Sequence, residues 1–216
     1  MHFCGYVEST DAMVPPFLTG HPGLDFLNTA FTPSTRGASI ELIRDGSSFV
    51  AWLLAAGLLN ARTAAKLKRR FGVEALDEAA AEARRFRQWA SDWLARWRNA
   101  PGEDYAAELQ HLNRLLERGA RYSQVVAAER QLTLEQHCRV DAASELLALP
   151  ASQIALLITS EEPELVKRCA GADCVLWFVD RTKAHRRMFC SAAACGNRAK
   201  VAAFRERARK VVATEK

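Results

Sequence analysis

Four cysteines near the C-terminus of this 216-residue chain have the spacing of a metal site. Cys169 and Cys174 form one close pair, and Cys190 and Cys195 form a second. Each pair can supply two thiolates from one turn, and the segment between the pairs lets the chain fold back to close a tetrahedral site. Zn²⁺ is the ion most often held by four cysteines, so the spacing predicts a structural zinc ion bound by these residues. Two disulfides or free thiols are the alternative.

The N-terminal sequence predicts a reducing compartment for these thiols. It contains no basic segment followed by an apolar run, so no secretory signal is predicted. The apolar run over 49–59 is too short to cross a bilayer. We therefore expect a cytoplasmic protein that has no membrane partner. In such a compartment, clustered cysteines favour metal binding over disulfides.

Positive charge is concentrated in the part of the chain that carries the cysteines. The whole chain has a net charge of +5. Residues 161–216 contain 13 Lys and Arg against 7 Asp and Glu, whereas residues 1–160 contain 17 against 18. A basic region on a nearly neutral body indicates a polyanionic partner such as nucleic acid. The alternative is a solvated basic face that only keeps the protein soluble.

Candidate phosphate-binding side chains surround the second cysteine pair. At 100° per residue, Arg198, Arg205 and Arg209 fall on one side of a helix that follows Cys195. An apolar arc beside them, centred on Phe204, is expected to pack on the rest of the protein. Arginines in a row suit phosphate contacts. The predicted nucleic-acid-binding residues are Arg186, Arg187, Arg198, Lys200, Arg205 and Arg209.

Apolar periodicity predicts an α+β fold that is mainly helical. Ser47-Ser48 is a candidate N-cap for the first long helix, and three further helices follow it. Apolar and polar residues then alternate, which predicts a half-buried strand with an antiparallel partner just before it. The predicted helices cover 49–59, 61–71, 76–97 and 105–116, and the predicted strands cover 121–128 and 132–140.

The cysteine region is predicted to fold like a treble-clef zinc finger. A turn carries the first pair, strands over 175–179 and 186–189 form a hairpin, and Ser191 caps a helix whose first turn contains Cys195. Few large apolar side chains lie in this region, so a core alone would hardly stabilise it. We therefore expect metal binding to be part of its folding.

Asp25 and Asn28 are candidate ligand-binding residues in the N-terminal region. The alternative is that they cap a helix or stabilise a turn, as Asp and Asn commonly do. The sequence contains no nucleophile elbow, phosphate-binding glycine loop or HExxH motif. Four thiolates would also leave zinc without an open coordination position for water. We therefore expect that the protein is not an enzyme.

Two motifs resemble known families and together span nearly the whole chain. Cys195-Gly196-Asn197-Arg198, with the cysteines before it, resembles the CGNR zinc-finger family. The segment 20–29, which reads GHPGLDFLNT, resembles the opening motif of the ABATE domain. One departure is Met188-Phe189, where the finger family commonly has Trp. The resemblance implies an ABATE-like helical domain over 1–160 and a CGNR-type zinc finger over 165–212.

The resemblance also implies a function, because this family is regarded as stress-induced transcription regulators. It implies that the finger binds DNA and that the N-terminal domain senses a ligand or mediates dimerisation. Our leading hypothesis is accordingly a zinc-containing, DNA-binding regulator with a small-molecule effector or a homodimeric form. The alternative is a protein- or RNA-interaction module in which zinc serves folding only.

Overall fold

A computed structural model describes residues 17, 19–31, 39–128, 131–172 and 174–214 of the chain. The predicted α+β, mainly helical class is confirmed, because the strands form only small two-stranded antiparallel sheets in these ranges. The first elements are α1 (Pro22–Leu27), β1 (Ala30–Phe31), β2 (Ile40–Glu41), α2 (Gly46–Ala55), α3 (Ala61–Arg70), α4 (Val73–Asn99) and α5 (Ala106–Glu117).

Helix α4 is the centre of the hydrophobic core. Its apolar residues recur at three- and four-residue steps, and this predicted stripe is buried along the helix. Phe86 and Trp93 on α4 are 3% and 2% exposed. Helices α1 and α2 pack on it, together with a 3₁₀ turn over Ala143–Leu147 that leads into α6 (Ala148–Ser160).

The start of α2 differs from the prediction in its N-cap. Asp45, rather than Ser47-Ser48, is the capping residue, and its carboxylate accepts from the backbone N–H of Ser48 at 2.8 Å. The Ser48 hydroxyl oxygen in turn accepts from the backbone N–H of Asp45 at 2.9 Å. This reciprocal pair satisfies two backbone donors at the helix start, and a serine alone would satisfy one.

The predicted hairpin forms, but its predicted burial is wrong. Strand β3 (Ala120–Ala128) pairs antiparallel with β4 (Gln131–Arg139), and Val125 lies opposite Leu134. The side chains of Val125, Leu132 and Leu134 are 62%, 77% and 66% exposed. The alternation predicted one buried face, yet these apolar side chains are exposed, and no third strand joins the hairpin in the described parts of the chain.

The C-terminal region also pairs its strands differently from the prediction. After a 3₁₀ turn (Pro163–Leu165), β5 (Val166–Arg168) pairs antiparallel with β6 (Trp177–Val179). The predicted hairpin between 175–179 and 186–189 is therefore wrong. The partner strand lies before the first cysteine, and residues 186–189 have no strand structure. A π-helical turn (Ala192–Gly196), capped by Ser191 as predicted, precedes α7 (Asn197–Thr214).

The β5–β6 pair belongs to two hydrophobic clusters at once. Val166, Trp177 and Val179 pack in the core formed by α1, α4 and α6. Phe178 points to the opposite side and packs with Cys169 and the other buried cysteines. Successive side chains of a strand alternate between faces, so one short strand joins the helical core to the cysteine cluster.

Helix α7 is exposed over its described side chains, which contradicts the predicted packing of its apolar arc. Val201 is 41% exposed and Phe204 is 67% exposed. Residues 201–207 are all exposed, and Arg198 and Ala199 are only partly buried. The described part of α7 therefore contributes no buried side chain to a core. The side chains of 208–214, including that of Arg209, lie outside the described part of the structure.

Among the described residues, the helical segment Ala143–Ser160 is long and apolar enough to cross a membrane. Within the fold, however, 56% of this segment is buried. Leu146, Ile154 and Leu157 are at most 1% exposed in the core. Its apolar composition therefore matches that of a core helix.

Candidate metal centre and the basic surface around it

The four cysteine sulfur atoms lie within 4.8 Å of one another. The Sγ atoms of Cys174 and Cys190 are 3.8 Å apart, and those of Cys190 and Cys195 are 3.6 Å apart. A tetrahedral zinc ion with Zn–S bonds of about 2.3 Å would place its sulfur ligands roughly 3.8 Å apart. The sulfur positions therefore suit one tetrahedral zinc ion.

Backbone groups around the cluster are also arranged for thiolate ligands. The N–H groups of Gly171 and Cys190 donate to the Cys169 sulfur at 3.4 and 3.3 Å. A Cβ at Gly171 would lie 3.4 Å from the sulfur of Cys195 and 3.2 Å from the Cβ of Cys174. A side chain at position 171 would therefore crowd the space enclosed by the cysteines.

The surroundings of the cysteine thiols differ, so their pKa values are shifted in different directions. Burial opposes ionisation of Cys169, but the N–H groups of Cys190 and Gly171 outweigh it and lower the pKa of this thiol. Burial raises the pKa of Cys174 to about 11, and burial together with the neighbouring thiol of Cys174 raises the pKa of Cys190. Four thiolates cannot coexist at this spacing unless a cation compensates their charge.

The guanidinium of Arg198, one of the predicted nucleic-acid-binding residues, is directed at the cysteine cluster. This group donates to the sulfur of Cys195 at 2.9 Å. A hydrogen bond of this kind stabilises negative charge on a ligand sulfur and fixes its orientation. Sequence periodicity placed Arg198 in a row with Arg205, but it could not distinguish a side chain directed at sulfur from one directed at solvent.

Asp180 holds the loop between the two cysteine pairs, and sequence reasoning missed this role. Its side chain is fully buried and accepts from Lys167 Nζ at 2.7 Å, from the Thr182 hydroxyl at 2.6 Å and from the Arg187 backbone N–H at 2.8 Å. Burial opposes ionisation, but these donors outweigh it and lower the pKa of Asp180. The sequence signal for this role was the position of Asp180 directly after an apolar strand.

Arg187 also points inward. Its guanidinium donates to the backbone carbonyls of Phe189, at 2.9 Å, and Cys190. It lies over the ring of Phe178, 4.4 Å from the ring centroid. These contacts support the second cysteine pair, so this cation is already engaged within the chain.

The family comparisons match this arrangement in both parts of the chain. The model of the CGNR zinc finger matches residues 166–208. The ABATE family model, described as "Putative stress-induced transcription regulator", matches residues 20–161. The chain belongs to the ABATE family. No curated protein matched the chain. The CGNR match and the clustered thiols together identify Zn²⁺ as the cofactor of the finger.

Asn28 of the ABATE motif joins the ABATE domain to the CGNR finger. Its side-chain amide donates to the carbonyl of Trp177 and accepts from the backbone N–H of the same residue, each at 2.9 Å. It therefore bonds β6 as a neighbouring strand would. Thr19 adds a further backbone bond, because its carbonyl accepts from the N–H of Val179 at 2.9 Å.

Asp25, the other predicted ligand-binding residue, is also buried. It is 6% exposed and accepts from the Thr19 hydroxyl at 2.9 Å. Burial raises the pKa of Asp25, and the bonds from Thr19 oppose that shift. The Oδ1 atom of Asp25 and both polar atoms of the Asn28 side chain are thus engaged within the chain, but the Asn28 side chain bonds β6 and neither caps a helix nor stabilises a turn. A ligand-binding role for these two residues stays a prediction.

The remaining predicted phosphate-binding residues divide by exposure. Arg186, Lys200 and Arg205 are exposed, and they form no hydrogen bond or ion pair with another described residue. The side chain of Arg209 lies outside the described part. The structure therefore leaves Arg186 beside the metal centre and two cations on α7 accessible to a polyanion.

Proposed function

We propose that this protein is a zinc-dependent transcription regulator that binds DNA through its CGNR finger. Cys169, Cys174, Cys190 and Cys195 coordinate the ion, and Arg198 orients the thiolate of Cys195. The division predicted from the sequence, with the ABATE domain over 1–160 and the finger over 165–212, belongs to this proposal. The zinc ion has a structural role, since four thiolates leave no coordination position for a substrate.

The observation that carries the DNA-binding proposal is the exposure of α7 directly after the metal centre. An isolated α-helix can enter the major groove of duplex DNA. Lys200 and Arg205 project from this helix, and neither is engaged by another described residue. Arg209 belongs to the same predicted set. The basic charge of residues 161–216 and the family's description as regulatory support the same function.

Salt-dependent binding of a labelled random-sequence duplex tests this proposal. Each phosphate contact contributes about −0.9 to the slope of log K against log salt. Replacing Lys200 and Arg205 together by glutamine should therefore make the slope shallower by about 1.8. Arg69→Gln, which removes an exposed charge from α3, serves as the control. Equal slopes for the double variant and the wild type would overturn the role of α7.

A second candidate function is recognition of a protein by the apolar side of α7. Val201 and Phe204 are exposed on this helix, and a large exposed aromatic side chain commonly marks a protein-binding site. In that case zinc would serve folding only. Loss of partner capture in Phe204→Ser, together with unchanged duplex binding, would favour this function over the first.

We propose dimerisation, rather than ligand sensing at Asp25 and Asn28, as the second role of the ABATE domain. The hairpin β3–β4 exposes Val125, Leu132 and Leu134 on one face, and its described side chains there carry no charge. An isolated two-stranded hairpin is only marginally stable in water, so a second copy of the same face would stabilise both.

Light scattering across a concentration series tests the dimer. The wild type should have twice the mass of one chain at high concentration, and the double variant Leu132→Ser, Leu134→Ser should be monomeric. Tyr122→Ser on the opposite face of β3 is the matched control, and it should leave the mass unchanged. A monomeric wild type at every concentration would contradict the proposal.

A further inference from the structure

A basic groove lies where the ABATE domain meets the finger. It is open on one side and has a volume of about 620 Å³. Five cationic side chains and one carboxylate line it. Arg98 comes from the last turn of α4, whereas Lys167 and Arg168 come from β5. Arg186 and Arg187 come from the loop before Cys190.

Three of the five cations are available for a ligand. Lys167 is paired with Asp180, and Arg187 donates to backbone carbonyls of the finger. Arg168 and Arg186 are exposed and form no hydrogen bond or ion pair with another described residue, although the Arg168 guanidinium lies over the ring of Trp177, 5.3 Å from its centroid. Arg98 is half-buried, and its one hydrogen-bond partner among the described residues is the side chain of its neighbour Asn99, at 3.1 Å.

The groove suits part of a long polyanion better than a small molecule. Small-molecule sites are mostly apolar and bury most of their ligand, whereas this groove is lined mainly by cations and is open to solvent. A nucleic-acid backbone needs no such enclosure, because phosphate oxygens are bound from one side by guanidinium groups. The groove also lies next to the metal centre, since Arg168 directly precedes Cys169.

We propose that this groove binds the phosphate backbone of the nucleic acid that the finger contacts, and that the ABATE domain supplies Arg98 to it. This inference rests on the proposed function and extends the DNA-binding surface beyond α7. The finger is then only part of the binding surface. Arg98 from the ABATE domain and Arg168 and Arg186 from the finger contact neighbouring phosphates.

The test measures binding of a labelled random-sequence duplex to the full-length, zinc-loaded protein. At about 0.1 M salt, loss of one phosphate contact should weaken binding about eightfold and make the salt slope shallower by about 0.9. We expect these changes in Arg98→Gln and in Arg186→Gln. Arg69→Gln removes a charge of the same kind outside the groove and should change neither quantity.

Glu164→Gln gives a result that structural damage would not imitate. Glu164 is the single carboxylate in the groove and is exposed. Its removal should strengthen duplex binding severalfold, because it takes a negative charge away from the bound phosphates. Unchanged zinc content and circular dichroism in all variants would show that they fold.

The possible results separate this inference from the proposed function. The double variant of Lys200 and Arg205 could lose affinity while Arg98→Gln and Arg186→Gln bind as the wild type does. That result would overturn phosphate binding by the groove and would support DNA binding by the finger. If the wild type does not bind the duplex, both are overturned. A third result is that the wild type binds inorganic pyrophosphate and that Arg98→Gln abolishes this binding but leaves duplex binding unchanged. This result would assign the groove to a free phosphorylated molecule and would also contradict the inference.

Discussion

The strand pair β5–β6 and helix α7 both adjoin the cysteine cluster, and the chain holds them differently. Trp177 on β6 is 2% exposed and bonded to Asn28 of the ABATE domain. Phe204 on α7 is 67% exposed. The first region is thus fixed by the ABATE core, and the second depends on the metal centre for its position. This contrast between a well-packed strand pair and an accessible basic helix supports the proposed binding of nucleic acid by α7.

Zinc removal should have the largest effect and should separate the two regions. Structural zinc sites contribute roughly 10–16 kcal/mol in zinc-finger peptides, so a chelator should unfold the segment around Cys190 and Cys195. Strand β6 should stay folded, because its inner face packs in the ABATE core. Hydrogen exchange measured with and without chelator checks this. Equal loss of protection in β6 and in 186–200 would contradict the difference between the regions.

Asn28→Ala should have a smaller effect than zinc removal, and it should destabilise the region that the ABATE core fixes. The variant leaves the N–H and C=O of Trp177 without their partners in a buried site, which costs about 3 kcal/mol of unfolding free energy. Denaturant unfolding of the zinc-loaded protein measures this loss. Asn28→Asp is the informative comparison, since it keeps one acceptor for the N–H but loses the donor to the carbonyl.

Acid should weaken the finger before the ABATE domain. The pKa of Asp180 is lowered in the folded state, so its stabilisation is present above the unfolded value of 3.8 and is lost as pH falls below it. The pKa of Asp25 is raised, so its unfavourable burial as a carboxylate is relieved as pH falls. Asp45 and Glu108 in the ABATE domain have lowered pKa values too, but neither is buried as Asp180 is, so water screens their contributions. Tryptophan fluorescence and zinc release against pH check the order. Unfolding of the ABATE domain at a higher pH than zinc release would contradict it.

Phe204→Ser should have the smallest effect on stability, within about 0.5 kcal/mol, because its side chain is already exposed. The matched substitution Phe178→Ser, in the buried face of β6, should instead cost about 3–5 kcal/mol. Thermal unfolding of the two variants gives the direct comparison. A large loss for Phe204→Ser would mean that α7 packs on the protein in solution.

Periodic and spacing patterns predicted the parts of the fold that depend on local sequence. The four cysteines, the stripe of α4 and the antiparallel pairing of β3 with β4 could all be identified from residue types and their intervals. The partner of β6 could not, because β5 has only three residues and no periodicity. The exposure of the hairpin could not either, because an alternating strand indicates which side chains share a face and not what covers that face.

The candidate site, too, could be predicted only in part from the local sequence. Spacing was sufficient to choose four cysteines as candidate zinc ligands, but not to assign the cations around them. Arg198 and Arg187 were grouped with Arg205 because all are basic and close in sequence. Their different roles depend on which acceptors the folded chain brings near them, namely a ligand sulfur and two carbonyls. Asp180 acquires its role in the same way, from donors up to 13 residues away.

The most direct test asks whether zinc positions a DNA-binding surface. Zinc is titrated into the protein after its metal has been removed, and the anisotropy of a labelled duplex reports binding. Duplex binding should appear as zinc is added and should reach its maximum at one ion per chain. Cys195→Ser should neither retain zinc tightly nor bind the duplex. This role of zinc would be contradicted if the protein bound the duplex equally well with and without zinc, or if it did not bind the duplex at any zinc concentration.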